Sequence, residues 1–135
     1  MIAFPLYGYC RITSEEQRIL DQVKMGVADC VRELGEAVSI DSRTENLSGV
    51  REAGDYFGRL LADLAFETRW ISMPPSMGKA GHLWAERKGR RGNRLLLVGH
   101  LDTVLPAAGF KRIGNRATGS GVNDMKGGNL VIIHA

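Results

Sequence analysis

Two short segments of the chain hold side chains whose types and spacing could do chemistry. The first is Gly99-His100-Leu101-Asp102-Thr103-Val104-Leu105-Pro106. An imidazole can give one nitrogen to a metal while a carboxylate two residues on takes its other N–H. That contact fixes the tautomer and raises ligand basicity. The second is Gly119-Ser120-Gly121-Val122-Asn123-Asp124-Met125-Lys126-Gly127-Gly128. Glycines on both sides let the backbone pass close to a ligand, and Asp124 has no adjacent carboxylate to compete with it. A carboxylate there could bridge two metal ions roughly 3.5–4 Å apart, one oxygen to each.

Each segment alone has a plainer reading. A histidine at a strand end is also what a hydrogen-bonded structural residue looks like. A glycine-rich stretch is also a generic tight turn. Gly-x-Gly-x-x-Asp is not a dinucleotide fingerprint, because no strand precedes it and its sixth position is not small. No Gly-Lys-Ser/Thr stands at the spacing a phosphate-binding loop needs.

The elements around these segments must position them. Ser14–Val38 reads as a helix, with capping-box spacing at Ser14 and Gln17 or at Thr13 and Glu16. Leu20, Val23, Val27, Val31, Leu34 and Val38 form one apolar stripe along it. Ser39–Asn46 is a polar loop. A second helix covers Val50–Leu64, although Gly54 and Gly58 weaken it by about 1 kcal/mol each relative to alanine. Glu67–Ser72 and His82–Lys88 then read as strands, and Gly89–Asn93 has turn chemistry. Leu95-Leu96-Leu97-Val98 is a continuous apolar run bounded by turns, as in a strand buried on both faces of an α/β sheet. His100 would follow at its carboxyl end, where open α/β sheets bind ligands. Leu130–Ile133 begins a helix or a strand. The expected class is therefore α/β.

Composition narrows the rest. A length of 135 residues allows one ordinary domain of about 100–150 residues. At 44% hydrophobic and 24% charged the chain is globular rather than disordered. No apolar run approaches the roughly 20 residues of a membrane helix, and Met1–Leu6 does not have the pattern of a secretory signal. Cys10 and Cys30 lack metal-type spacing, so a reducing, cytoplasmic setting is expected. Residues 1–70 carry 8 basic and 12 acidic side chains, and residues 71–135 carry 10 and 3. Much of that excess lies in Arg87, Lys88, Arg90, Arg91 and Arg94. This basic run reads as a solvated hairpin loop, with nucleic-acid binding as the alternative.

Taken together, the two segments are more specific. Leu96-Leu97-Val98-Gly99-His100-Leu101-Asp102-Thr103-Val104-Leu105-Pro106 with Gly119-x-Gly-Val122-x-Asp124-Met125-Lys126-Gly127-Gly128 resembles the di-zinc metallopeptidase family. That family includes glutamate carboxypeptidases, acetylornithine deacetylase, succinyl-diaminopimelate desuccinylase and aminoacylase. Val38-Ser39-Ile40-Asp41-Ser42 and Leu64-Ala65-Phe66 resemble the family's opening, so the likeness covers roughly residues 14–135. The wording at 103–106 and 124–128 is closest to the glutamate carboxypeptidase branch.

The resemblance implies a three-layer α/β/α fold with a mostly parallel central sheet. Residues 1–13 would be an extension and 14–135 the N-terminal part of the catalytic domain. It implies that His100 is a terminal zinc ligand, that Asp102 holds its imidazole as part of the catalytic set, and that Asp124 bridges both metals. Zinc is the implied cofactor, two ions per complete site, with cobalt or manganese left open. It also implies a cis bond at Asp124–Met125 and a supporting rather than reacting Lys126. The implied reaction is hydrolysis of an amide in a small peptide or N-acyl amino acid, with no nucleic acid or membrane partner. Arg112 or Arg116 would face anionic products, and full-length relatives are often homodimeric.

The chain departs from the family where it ends. The family's Glu-Glu pair, a further acidic ligand and a second zinc-binding histidine should follow Asp124, but Ala135 closes the chain eleven residues later. His82 and His134 do not match those motifs and read as structural or exposed. The expectation is a truncated chain, inactive alone and poorly soluble because an apolar strand lacks neighbours. The alternative is a non-catalytic fragment or a split-enzyme half that needs a partner chain.

Overall fold

The computed structural model describes residues 12–135. The segment 1–11, which contains Cys10 and most of the expected N-terminal extension, lies outside the described residues.

Helix α1 spans Ser14–Ser39. Of the two capping boxes its start permits, the one formed is Thr13 with Glu16. The Thr13 hydroxyl accepts from the Glu16 N–H at 3.2 Å, and the Glu16 carboxylate accepts from the Thr13 N–H at 2.7 Å. Helix α2 spans Leu47–Asp63 and starts three residues earlier than its apolar pattern suggests. The reason is its cap: the Asn46 side chain accepts from the Gly49 N–H, and such a cap starts a helix ahead of its buried face.

Strands β1 (Glu67–Ile71) and β2 (His82–Glu86) follow, joined through a 3-10 turn at Pro75–Met77 and paired antiparallel. Trp70 pairs with Leu83, and both line the shallow cleft against α2. Here the glycines of α2 find their use. A Cβ on Gly54 would lie 2.3 Å from the Trp70 ring. The cost in helix propensity at that position is thus offset by close packing of a large aromatic. A short hairpin, β3 (Lys111–Ile113) with β4 (Arg116–Thr118), leads into the glycine-rich loop, so a strand does precede Gly119, contrary to expectation. It is a three-residue arm of an antiparallel hairpin and not the parallel strand of a dinucleotide-binding unit. Helix α3 (Lys126–His134) resolves the open choice at Leu130–Ile133 in favour of a helix.

The core lies where the three helices meet. Ala37, Tyr56, Phe57 and Leu130 are buried together, with Cys30, Leu34, Ile40, Leu60, Leu101 and Ile133 packed around them. Only the C-terminal part of the expected α1 stripe takes part, since Leu20, Val23 and Val27 are exposed. The Tyr56 hydroxyl donates to the Glu33 carbonyl or the Glu36 carboxylate. Burial pushes that phenol up, and the neighbouring Glu36 adds to the shift.

The class is mixed α/β, with one difference from expectation. Among the described residues both sheets are two-stranded and antiparallel, so a three-layer arrangement around a mostly parallel sheet is not shown. The Leu95–Val98 run forms no strand, and its four residues are 63–86% exposed. A strand buried on both faces needs a partner along each edge and a layer on each side. No other described strand lies beside this run. Among the described residues the single parallel contact is a bridge between Arg43 and Thr103.

Candidate metal centre

That isolated bridge builds the site. The Thr103 N–H donates to the Ser42 carbonyl at 2.9 Å, and the Thr44 N–H donates to the Thr103 carbonyl at 3.0 Å. The polar loop after α1 is thereby laced to the residues after His100. Ser42 and Thr103 are both buried. Arg43 forms an ion pair with Asp41 at 2.9 Å, which holds the loop's outer side. The Asn46 side chain donates to the Asp41 carbonyl at 2.6 Å.

The glycine-rich loop arrives from the other side. At Gly121, φ is +80° and a Cβ would lie 2.9 Å from the Thr103 methyl and 3.0 Å from the Lys126 side chain. Glycine alone meets both conditions without strain. Ser120 ties the loop to the chain after Asp102. Its hydroxyl donates to the Pro106 carbonyl at 2.5 Å and accepts from the Ala108 N–H at 2.6 Å. The Asp124–Met125 bond is cis. Lys126 is buried, and its ammonium donates to the Ile40 carbonyl at 2.6 Å, pinning the start of α3 to the end of α1. Burial lowers its pKa, with Asp41 acting in the opposite direction. In this position it supports the loop.

These contacts bring the three expected residues together. His100 Nε2 lies 2.8 Å from Asp124 Oδ1. His100 Nδ1 lies 2.9 Å from the Asp102 carbonyl oxygen and 3.3 Å from the Asp102 carboxylate. A carbonyl oxygen can only accept, so Nδ1 carries the proton. Asp102 therefore holds the imidazole mainly through its main chain, with its carboxylate close behind. Desolvation pulls the His100 pKa down, but the bonds to Asp124 and to Asp102 outweigh it and the net displacement is upward. Asp102 is lowered, first by a hydrogen bond from Thr44, against desolvation, and then by His100. The Asp124 side chain is 77% exposed, and no described residue engages its second oxygen.

An imidazole with Nδ1 fixed and Nε2 facing a carboxylate is a donor pair that suits zinc. Its number is incomplete, however. Among the described residues no three His, Cys, Asp or Glu side chains converge as a metal site, whereas an open zinc site takes about three protein ligands.

Two residues of the site carry no motif. The Thr44 hydroxyl donates to Asp102 Oδ2 at 2.6 Å, and the Asn129 amide donates to the His100 carbonyl at 2.8 Å. Each bond joins residues far apart in the chain, so no local pattern signals it. Arg112 folds onto the Gly114 carbonyl at 3.1 Å within its own hairpin. Arg87 donates to the Leu64 carbonyl and lies over Phe66, so one member of the basic run is used structurally. His134 pairs with Glu33 at 2.7 Å, and His82 is exposed on β2. No described helix is long and apolar enough to cross a membrane.

No family model matches the chain. Among curated proteins it is 35% identical to carboxypeptidase G2 of a Pseudomonas species, over 77% of this chain and 26% of that protein. It is 31% identical to an uncharacterised metallohydrolase of Methanocaldococcus jannaschii, over 82% of this chain and 29% of that protein. The chain thus spans between a quarter and a third of the length of the curated relatives it matches. With the paired motifs at His100 and Asp124, these similarities place it: the chain belongs to the metallopeptidase family of aminoacylase, acetylornithine deacetylase and succinyl-diaminopimelate desuccinylase, in the glutamate carboxypeptidase branch.

Proposed function

We propose that this chain is the part of a di-zinc amide hydrolase that supplies one terminal metal ligand and the bridging carboxylate. The observation that carries the reading is the 2.8 Å approach of His100 Nε2 to Asp124 Oδ1 across 24 residues of sequence. When bound, the metal pair would acidify a shared water and polarise the amide carbonyl. His100 would offer Nε2, and Asp102 would keep the proton on Nδ1. Asp124 would use both carboxylate oxygens, the second of which faces solvent. Lys126 and the Gly119–Asp124 loop would hold that carboxylate in place.

Among the described residues no third metal ligand joins His100 and Asp124, so turnover is assigned to an assembly that supplies the further ligands and a general base. In that assembly Leu95–Val98 would join a parallel sheet within a three-layer fold, and the setting would be cytoplasmic. The substrate class is a small peptide or N-acyl amino acid, following the carboxypeptidase name of one relative. Homodimerisation and the absence of a nucleic-acid partner belong to the same proposal.

Zinc titration of the purified chain against a chromophoric chelator tests it. The expected result is zinc binding that falls about 10-fold or more in His100→Ala and in Asp124→Ala, the scale for loss of a metal-site group. Equal zinc binding by the wild-type chain and both variants would sink the proposal, as would no binding at all.

A further inference from the structure

We propose that Thr44 is a positioning residue, whose hydroxyl sets the Asp102 carboxylate so that it backs His100 Nδ1. The inference rests on the metal-site reading above but concerns only side chains present in the chain. Asp102 has two carboxylate oxygens with different partners. Oδ1 lies 3.3 Å from His100 Nδ1, and Oδ2 accepts from the Thr44 hydroxyl at 2.6 Å. The terminal torsion of an aspartate is broad and roughly two-fold, so packing alone does not choose its plane. A short O–H···O⁻ bond is among the stronger hydrogen bonds and does choose it.

Thr44 is itself well held. Its N–H donates to the Thr103 carbonyl, the Thr103 N–H donates back to Ser42, and the Asn46 N–H donates to the Arg43 carbonyl at 2.7 Å. The β-branched side chain then has little rotamer freedom. The hydroxyl's other neighbour, the Thr103 carbonyl, lies 3.4 Å away and is the poorer partner. Backbone and side chain of Thr44 thus act on consecutive residues, Thr103 and Asp102.

The chemistry of the donor matters as much as its place. The Arg43 guanidinium is committed to Asp41 through contacts of 2.9 and 3.0 Å. Asp102 is steered instead by a neutral hydroxyl, which orients the carboxylate without cancelling its charge. The full negative charge stays directed at the imidazole, where it strengthens Nε2 as a ligand. A guanidinium in Thr44's place would orient the carboxylate and neutralise it together.

The test uses the purified chain with Thr44→Val, which keeps the shape and removes the hydroxyl, and Thr44→Ser, which keeps the hydroxyl. Two quantities are read: the 15N resonances of the His100 ring without metal, and zinc affinity. Thr44→Val is expected to shift the ring resonances and to weaken zinc about 3–10-fold, at or below the usual range for outer groups of a metal site. Thr44→Ser is expected to restore both. Unchanged ring resonances in Thr44→Val, or equal loss in Thr44→Ser, would overturn the assignment. If the wild-type chain takes up no zinc, the proposed function fails while the ring resonances still decide the role of Thr44. Should Thr44→Val not fold, the wild-type Thr44 hydroxyl proton decides it. That proton is expected to exchange slowly and to lose protection in Asp102→Ala, and fast exchange in the wild type overturns the inference.

Discussion

Two neighbouring stretches of this chain behave in opposite ways. Leu95–Val98 is a run of four large aliphatic residues, as long as Leu130–Ile133 in α3, yet it is exposed and pairs with nothing described. A few residues on, Asp102–Thr103 is bonded through main chain and side chain to Ser42 and Thr44, and Thr103 is 3% exposed. Gly99, His100 and Leu101 join the two. Hydrophobicity therefore does not locate the buried and bonded part of this region. Polar bonds between distant segments do, and they hold the three candidate site residues without help from the apolar run. Burial does its share elsewhere, where α1, α2 and α3 meet.

The comparison can be broken most directly at the core. Leu130 is fully buried in that junction. Leu130→Ala is expected to cost about 2–5 kcal/mol in chemical denaturation, the range for a truncated core leucine. A loss no larger than that of an exposed leucine would show that the helix junction is not what holds the fold.

The polar knot is tested next at Gly121. Alanine there must adopt a left-handed φ and press a Cβ on Thr103 and Lys126. A cost of about 1–2 kcal/mol is expected from the backbone alone, with shifted amide resonances at Thr103 and His100. Wild-type stability and spectra would mean that the glycine loop does not lean on the knot.

The apolar run should respond weakly in stability and visibly in association. Leu96→Ser is expected to change the unfolding free energy by no more than about 0.5 kcal/mol. Light scattering should show less self-association than in the wild-type chain, because a contiguous exposed apolar patch favours association. A destabilisation comparable to Leu130→Ala would show that the run is packed in solution.

The smallest effect lies on the surface of α1 and α2. Arg32 first, and then Tyr56, hold the Glu36 carboxyl below its ordinary 4.5. A lowered folded pKa stabilises the fold above the unfolded value and ceases to do so as pH falls through the lowered one. A denaturation midpoint followed from neutral pH into that acid range should decline slightly more in the wild type than in Glu36→Gln. Because Glu36 is solvent-screened the difference is small, and an identical decline would remove the contribution.

Much of the site was legible in the amino-acid order because its signals are local. The Thr13–Glu16 capping box, the helix starting at Ser14, the polar loop at Ser39–Asn46 and the glycine-flanked Asp124 depend on residues a few positions apart. Thr44 and Asn129 were not legible. Their bonds cross 58 and 29 residues, and a lone threonine in a polar loop looks like any other. Ser120 carries no local signal either, although its hydroxyl joins the glycine loop to Pro106 and Ala108.

The sequence by itself determined which residues could carry chemistry and the local elements that flank them, since capping, periodicity and turn preference act over one or two turns of chain. It also determined the family, through the paired wording around His100 and Asp124. Only the tertiary structure decided that His100 and Asp124 meet, that Asp102 presents its carbonyl as well as its carboxylate, and that Leu95–Val98 lies open. Those outcomes depend on which distant groups reach hydrogen-bonding distance and which surfaces find a covering layer, and an apolar run states its need for such a layer without supplying one.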